Sequence, residues 1–232
     1  MTLSIAIIGF SGKMGKKVFE LIQNDDTLSC INTKNHSQEE LDYLAQAADV
    51  LIDFSHPKML PYLLQVASST QTPIVSGTTG LSLEDKEMMQ KASEKIPILY
   101  SSNFSIGIAL CHLLIEKIAP SFGQIADIDI VETHHRHKKD APSGTAISLK
   151  ETLKRHLPEK EISLHSIRAG SIVGEHNLIF NTDEEQITLS HKALTRHCFA
   201  KGALLAAKFI HGKEKGMYSI FDIFAKKEEV KI

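Results

Sequence analysis

Residues 4–22 read SIAIIGFSGKMGKKVFELI: a short apolar run, a turn with three glycines, then apolar positions at helical spacing. A strand that turns through glycines into a helix is how a βαβ unit presents helix N–H groups to a pyrophosphate. Gly9 allows the tight exit from the strand, Gly12 lets the backbone approach the anion, and Gly15 lets the helix pack against the sheet. Ser11 stands where the usual fingerprint has its second glycine, so a tight turn in another α/β protein would read the same way. Phe10, Lys13 and Met14 complete the turn, with Lys13 placed to meet a phosphate.

The stretches that follow support that reading. LSCIN (28–32), DVLIDF (49–54), TPIVSG (72–77) and PILYSS (97–102) are short apolar runs, separated by helical stretches. Near-continuous apolar strands that alternate with helices imply a parallel sheet covered on both faces. Ser37 and Glu40 form a capping-box pattern that opens a helix over 37–48. Ligands of such sheets bind past the carboxyl ends of the strands. There the chain carries Gly77, Thr78 and Thr79 in SGTTG, and Ser101, Ser102, Asn103 and Phe104 in SSNFSIG. An NAD-preferring site would put an acid at the end of the second strand. Here Thr33 and Lys34 stand in an Asn-Thr-Lys-Asn-His run, and Lys34 would attract a 2′-phosphate. NADPH is therefore expected to serve at least as well as NADH.

From Ala126 the texture changes. DIDIVETHH reads as a long strand and SGTAISLKETLKRH as a helix, then SLHSIRAG, EHNLIFNT and EQITLSHKA follow as successive strands. FAKGALLAAKFIHG is a helix, and the apolar MYSIFDIF is expected to pack back on the body. Successive strands without helices between them imply an open, partly antiparallel sheet. The fold class is α/β: a Rossmann-like dinucleotide-binding domain over 1–103, rejoined by a tail of about 213–232, and an α+β domain over 104–212 built on an open mixed sheet. Leu110–Leu114 and Leu204–Ile210 read as core.

Composition bounds the partners. With 232 residues, 42% hydrophobic and a formal charge of −2, the chain is neither basic enough for a general nucleic-acid binder nor biased enough for disorder. Cys30, Cys111 and Cys198 lack disulfide or metal spacing and suit a reducing compartment. No secretory leader pattern or apolar run of ~20 residues is visible, so a soluble cytoplasmic protein is expected.

Residues 132–146, ETHHRHKKDAPSGTA, concentrate three histidines, an arginine and two lysines in six positions beside a Pro-Ser-Gly-Thr turn. Such local charge suits a small anion. Adjacent strand histidines face opposite ways, and Arg136, Lys138 and Lys139 would repel a dication, so no metal is expected. Arg168 could anchor a carboxylate but is more often an ion-pair residue; Arg196 is the better anchor. His165, His176, His191 and His211 read as structural.

GFSGKMG, DFSHP, SGTTG, SSNFSIG and above all HHRHKKDAPSGTA resemble the dihydrodipicolinate reductase family, and the resemblance continues through IRAGSIVGEH, SHKALTR and FAKGAL. Two connections are shorter than is usual there, the one before DVLIDF and the one between the PSGTA helix and IRAG. The resemblance implies reduction of a cyclic dicarboxylate imine by NADPH or NADH in lysine and diaminopimelate synthesis, by a homotetramer, with a dimer as the alternative that the shortened connection leaves. It implies that His134 and Lys138 are catalytic, and that His135, Gly144 and Thr145 contact substrate; Ser143, with them at a helix N-terminus, can offer a further N–H to a carboxylate. It assigns Gly9 to Met14, Gly77 to Thr79 and Ser101 to Phe104 to the cofactor, with Thr33 and Lys34 at the ribose. A non-catalytic nucleotide sensor would need the glycine turn but not His134 or Lys138. An amino-acid dehydrogenase of similar plan would lack the HHRHK run.

Overall fold

The computed structural model describes residues 2–32 and 37–224, so Thr33 and Lys34 lie outside the described residues. The chain forms two compact units. One holds the described residues up to Phe104 and from Phe199 on, the other Ser105–Cys198.

In the first unit, β1 (Leu3–Ile8), α1 (Lys13–Ile22), β2 (Leu28–Ile31), α2 (Gln38–Ala47), β3 (Val50–Asp53), α3 (Leu60–Thr70), β4 (Ile74–Ser76), α4 (Leu83–Ala92) and β5 (Pro97–Tyr100) alternate along the chain. Their sheet runs β10-β5-β4-β3-β1-β2, where β10 is Gly216–Tyr218, and every pairing in it is parallel. Ile5 to Ile8 on β1 and Val50 to Ile52 on β3 are buried on both faces, as their unbroken apolar character requires. Each isoleucine, leucine or valine among them contributes about 1.5–3 kcal/mol by leaving water. The Ser37–Glu40 capping box is present at the start of α2. MYSIFDIF joins this unit through β10, which pairs with β5, and through a 3-10 turn at Ile220–Ile223.

In the second unit, α5 (Ile106–Ile118), α6 (Phe122–Ile125), β6 (Asp127–His134), α7 (Gly144–His156), β7 (Ile162–Arg168), β8 (Gly174–Asn181) and β9 (Gln186–Ala193) follow in turn. The sheet order is β7-β6-β8-β9. β6 and β7 are parallel across the α7 crossover, while β8 and β9 are antiparallel. Ile128, Ile130, Leu178 and Phe180 face the helices and form a core with Cys111 and Ile115 of α5 and Leu149 and Leu153 of α7. The opposite face carries Asp129, Val131, Asn177 and Ile179, which remain half-exposed.

Two expectations are corrected. Leu110 and Leu114 are 44% and 47% exposed. Four residues apart on α5, they share the stripe turned away from the core, while Ala109, Cys111, His112 and Ile115 take the buried one. Residues 199–212, placed with the second domain by sequence, group with the first unit. The final helix, α8 (His197–Ile210), presents Gly202 to the backbone of Phe104, and its Lys208 bonds Asp25 at 2.7 Å.

Candidate active site

The carboxyl edge of the first sheet is built for close backbone approach. A β-carbon on Gly9 would stand 2.5 Å from the Phe54 carbonyl oxygen, and one on Gly15 would stand 2.4 Å from that of Gly9. Gly9 also has φ +86°, which L side chains rarely adopt. Helix α1 starts at Gly12 with no side-chain cap and no acid in its first turn, and Lys13 is exposed beside it. By contrast α2 and α4 start with a serine cap and carry acids in the first turn. Helix α1 therefore has N–H groups and a dipole available to an anion, and a dinucleotide pyrophosphate fits. Ser11 is exposed, Met14 is half-buried, and Phe10 packs edge-on against Phe19 at 5.0 Å.

Asp53 organises the neighbouring strand ends, a role that sequence reading missed. Its buried carboxylate accepts from Ser55 N–H (2.9 Å), Ser55 Oγ (2.6 Å), Ser76 Oγ (2.9 Å) and Thr78 Oγ1 (2.8 Å). Thr78 is thus turned inward by its side chain, whereas Thr79 is exposed. A β-carbon on Gly77 would stand 2.2 Å from the Phe54 ring, which meets the buried Phe104 ring edge-on at 5.8 Å. In SSNF, Ser101 Oγ donates to the Asn103 carbonyl (2.7 Å) and accepts from Asn103 N–H (3.2 Å), and Ser102 is exposed.

In the second unit Glu132 and His134 stand two apart on β6, so both face the helices. Glu132 is fully buried and accepts a two-point bond from Arg168, Nη1 to Oε2 at 2.8 Å and Nη2 to Oε1 at 2.6 Å. Its Oε2 also accepts from His134 Nδ1, and its Oε1 from Ser143 N–H at 3.1 Å. Burial alone would raise this carboxyl's pKa. The hydrogen bonds from Arg168, Ser166 and His134 outweigh that and hold it down at about 2, so it is ionised. Burial holds the His134 imidazole below its ordinary value, opposed by Glu132.

The HHRHK segment is tied down as it leaves β6. Arg136 N–H donates to the Gly170 carbonyl (3.2 Å), and Ala169 N–H donates to that of His134 (2.9 Å). His135 is half-buried, with Nδ1 lacking a protein partner. Lys138 Nζ pairs with Asp140 at 2.8 Å, and the Asp140 carbonyl accepts from Arg168 Nη2 at 2.6 Å. Ser143 caps α7 by accepting from Ala146 N–H at 3.2 Å, which leaves Gly144 exposed and Thr145 half-buried in the first turn. His134, Lys138 and the Ser143–Thr145 turn thus come together, while half-buried Arg196, between β9 and α8, is not in the Glu132 network.

His176, expected from the sequence to be structural, is buried beside His134. Its ring meets that of His134 edge-on at 5.2 Å, and its Nε2 bonds Ser143 Oγ at 3.1 Å. Arg168 enters as a structural ion-pair residue, the role its residue type suggested. Cys30 and Cys111 are not ready nucleophiles: burial pushes the Cys30 thiol up to about 11 and raises that of Cys111.

An open helix start at the edge of a parallel sheet, in a chain that also gathers imidazole, ammonium and a helix-opening turn, defines a two-domain nicotinamide-dependent oxidoreductase. The family follows from direct comparison. Residues 3–104 match the model for the dihydrodipicolinate reductase N-terminus and residues 107–224 that for its C-terminus, so the chain belongs to the dihydrodipicolinate reductase family. It is 38% identical to the 4-hydroxy-tetrahydrodipicolinate reductase of Akkermansia muciniphila, over 95% of this chain and 97% of that protein. It is equally 38% identical to the enzyme of that name from Caldanaerobacter subterraneus subsp. tengcongensis, over 97% of this chain and all of that one. The fold matches dipicolinate-bound dihydrodipicolinate reductase from Paenisporosarcina sp. TG-14 with a TM-score of 0.80 at 23% identity, over 94% and 98% of the two chains. Among the described residues no helix is long and apolar enough to cross a membrane.

Proposed function

We propose that the protein reduces 4-hydroxy-tetrahydrodipicolinate to tetrahydrodipicolinate with NADPH or NADH, in the cytoplasm, as a step of diaminopimelate and lysine synthesis. The bound dinucleotide supplies a hydride to the substrate ring. Gly9, Gly12 and the α1 start hold its pyrophosphate, and the Gly77–Thr79 and Ser101–Phe104 turns line the strand ends nearby in sequence order and in the sheet. The substrate carries two carboxylates, its ring carbon C4 accepts the hydride as water departs, and the resulting enamine takes a proton. The N–H groups of the Ser143–Gly144–Thr145 turn, at the positive end of the α7 dipole, hold one carboxylate. His135 and Arg196 contact the remainder. Lys138 delivers the proton, and His134 tunes or relays it.

The observation that carries this reading is that His134, Lys138 and the α7 start are joined through Glu132, Arg168 and Asp140. Oxidation of NADPH by freshly generated substrate, repeated with NADH, tests it; no turnover with either cofactor would sink it. The half-exposed face of the second sheet, with Ile167 47% exposed, is proposed to pack against the same face of other copies in a homotetramer.

A further inference from the structure

We infer that Glu132 is a positioning residue of this site: it holds the His134 proton on Nδ1, leaves Nε2 as the exchanging atom, and fixes that ring to the turn that opens α7. The inference rests on the acid/base assignment of His134 and goes one residue beyond it.

The geometry is specific. Each Glu132 oxygen accepts one Arg168 nitrogen, Oε2 also meets His134 Nδ1, Oε1 also accepts from Ser143 N–H, and Ser166 donates a further hydrogen bond to the carboxylate. A carboxylate has about four acceptor positions, so these donors saturate it. An ionised carboxylate can only accept, so Nδ1 must donate and Nε2 carries the lone pair in the neutral ring. The Nε2 side is kept clear by Gly174, where a β-carbon would stand 3.0 Å from that nitrogen. The His134 side chain retains a tenth of its surface open. Arg168 serves Glu132 as a neutralising partner. It also bonds the Asp140 carbonyl, and Asp140 holds Lys138, so the proton donor hangs on the same carboxylate. The charged and titratable groups that face His134 are Glu132 on its own strand, Arg168 on β7, His176 on β8 and Lys138 on the following loop.

The test compares wild type, Glu132→Gln and His134→Asn for kcat, KM and the pH dependence of kcat/KM, with the His134 tautomer read by nitrogen-15 NMR. Glu132→Gln is expected to lower kcat about 10²-fold with KM within about threefold, in the range of losing the orienting partner of an acid/base histidine. The apparent pKa assigned to His134 should move down, because the charge and hydrogen bond of Glu132 raise it. The ring, protonated on Nδ1 in wild type, should lose that preference. A Glu132→Gln enzyme with wild-type kcat and pH profile, beside a crippled His134→Asn, overturns the inference alone. Near-normal kcat in His134→Asn overturns the acid/base assignment and the inference with it. If Glu132→Gln does not fold, the wild-type spectrum decides, since a His134 ring protonated mainly on Nε2 overturns the inference without any variant.

Discussion

Gly202 on α8 lies against the backbone of Phe104, so that a β-carbon on it would stand 1.8 Å from the Phe104 carbonyl oxygen. The FAKGAL and SSNFSIG segments, far apart in sequence, therefore meet backbone to side-chain-less backbone. Gly202→Ala gains about 1 kcal/mol of helix propensity but must move a backbone oxygen by more than an ångström. Overpacking of that kind costs about 1–3 kcal/mol or more, so the clash wins. Urea unfolding should show a lowered midpoint; an unchanged or raised one would mean that α8 shifts freely.

Lys138→Ala and His134→Ala should each lower kcat by about 10²- to 10⁴-fold. NADPH affinity, measured by fluorescence on the same preparations, should stay close to wild type because the glycine turn lies in the other unit. Near-normal kcat in both variants would remove the catalytic assignment, and lost NADPH binding would assign the segment to the cofactor.

Acid should destabilise the second unit early. Burial lowers the pKa of His112 and His176 to about 4 from 6.5. Between those values the unfolded chain binds protons that the folded one refuses, so stability is full above pH 6.5 and falls as pH drops toward 4. Each histidine accounts for on the order of 3 kcal/mol across that window. Glu132, with its pKa held at about 2 against 4.5, adds a second loss as pH falls from 4.5 toward 2. His112 bonds Thr152 on α7 at 2.7 Å. His112→Asn should flatten the dependence between pH 6.5 and 4, and an equally steep slope would show that His112 is protonated in the native state.

Light scattering at micromolar concentration should give four times the mass of one chain. A monomer mass would refute the proposed packing of second-sheet faces, and a dimer would confine it to one pair.

Lys34→Glu should shift the ratio of kcat/KM toward NADH, since a carboxylate there repels a 2′-phosphate and accepts from a ribose hydroxyl. An unchanged ratio would leave cofactor preference to other groups, Lys13 first among them.

The sequence by itself determined the elements and the class of chemistry. Apolar runs between helical stretches sufficed for the parallel sheet, because burial on both faces leaves no other pattern. SIAIIGFSGKMG sufficed for the glycine turn between strand and helix, and HHRHKKDAPSGTA for a concentration of positive charge beside a helix start, because both are local: a few adjacent residues carry their own geometry. What the tertiary structure decided is who meets whom. Glu132 and His134 are visible as same-face neighbours on a strand, but Arg168 reaches them only through the parallel register of β6 and β7, which sets it beside His134 although the two are far apart in sequence. Asp53 gathers Ser76 from the end of β4 and Thr78 from the turn after it, and His176 meets His134 across an antiparallel pair. Leu110 and Leu114 looked like core because hydrophobicity says what prefers burial, not which stripe of a helix finds a partner. Charge pairing and packing between distant segments depend on register, and register is a property of the assembled sheet.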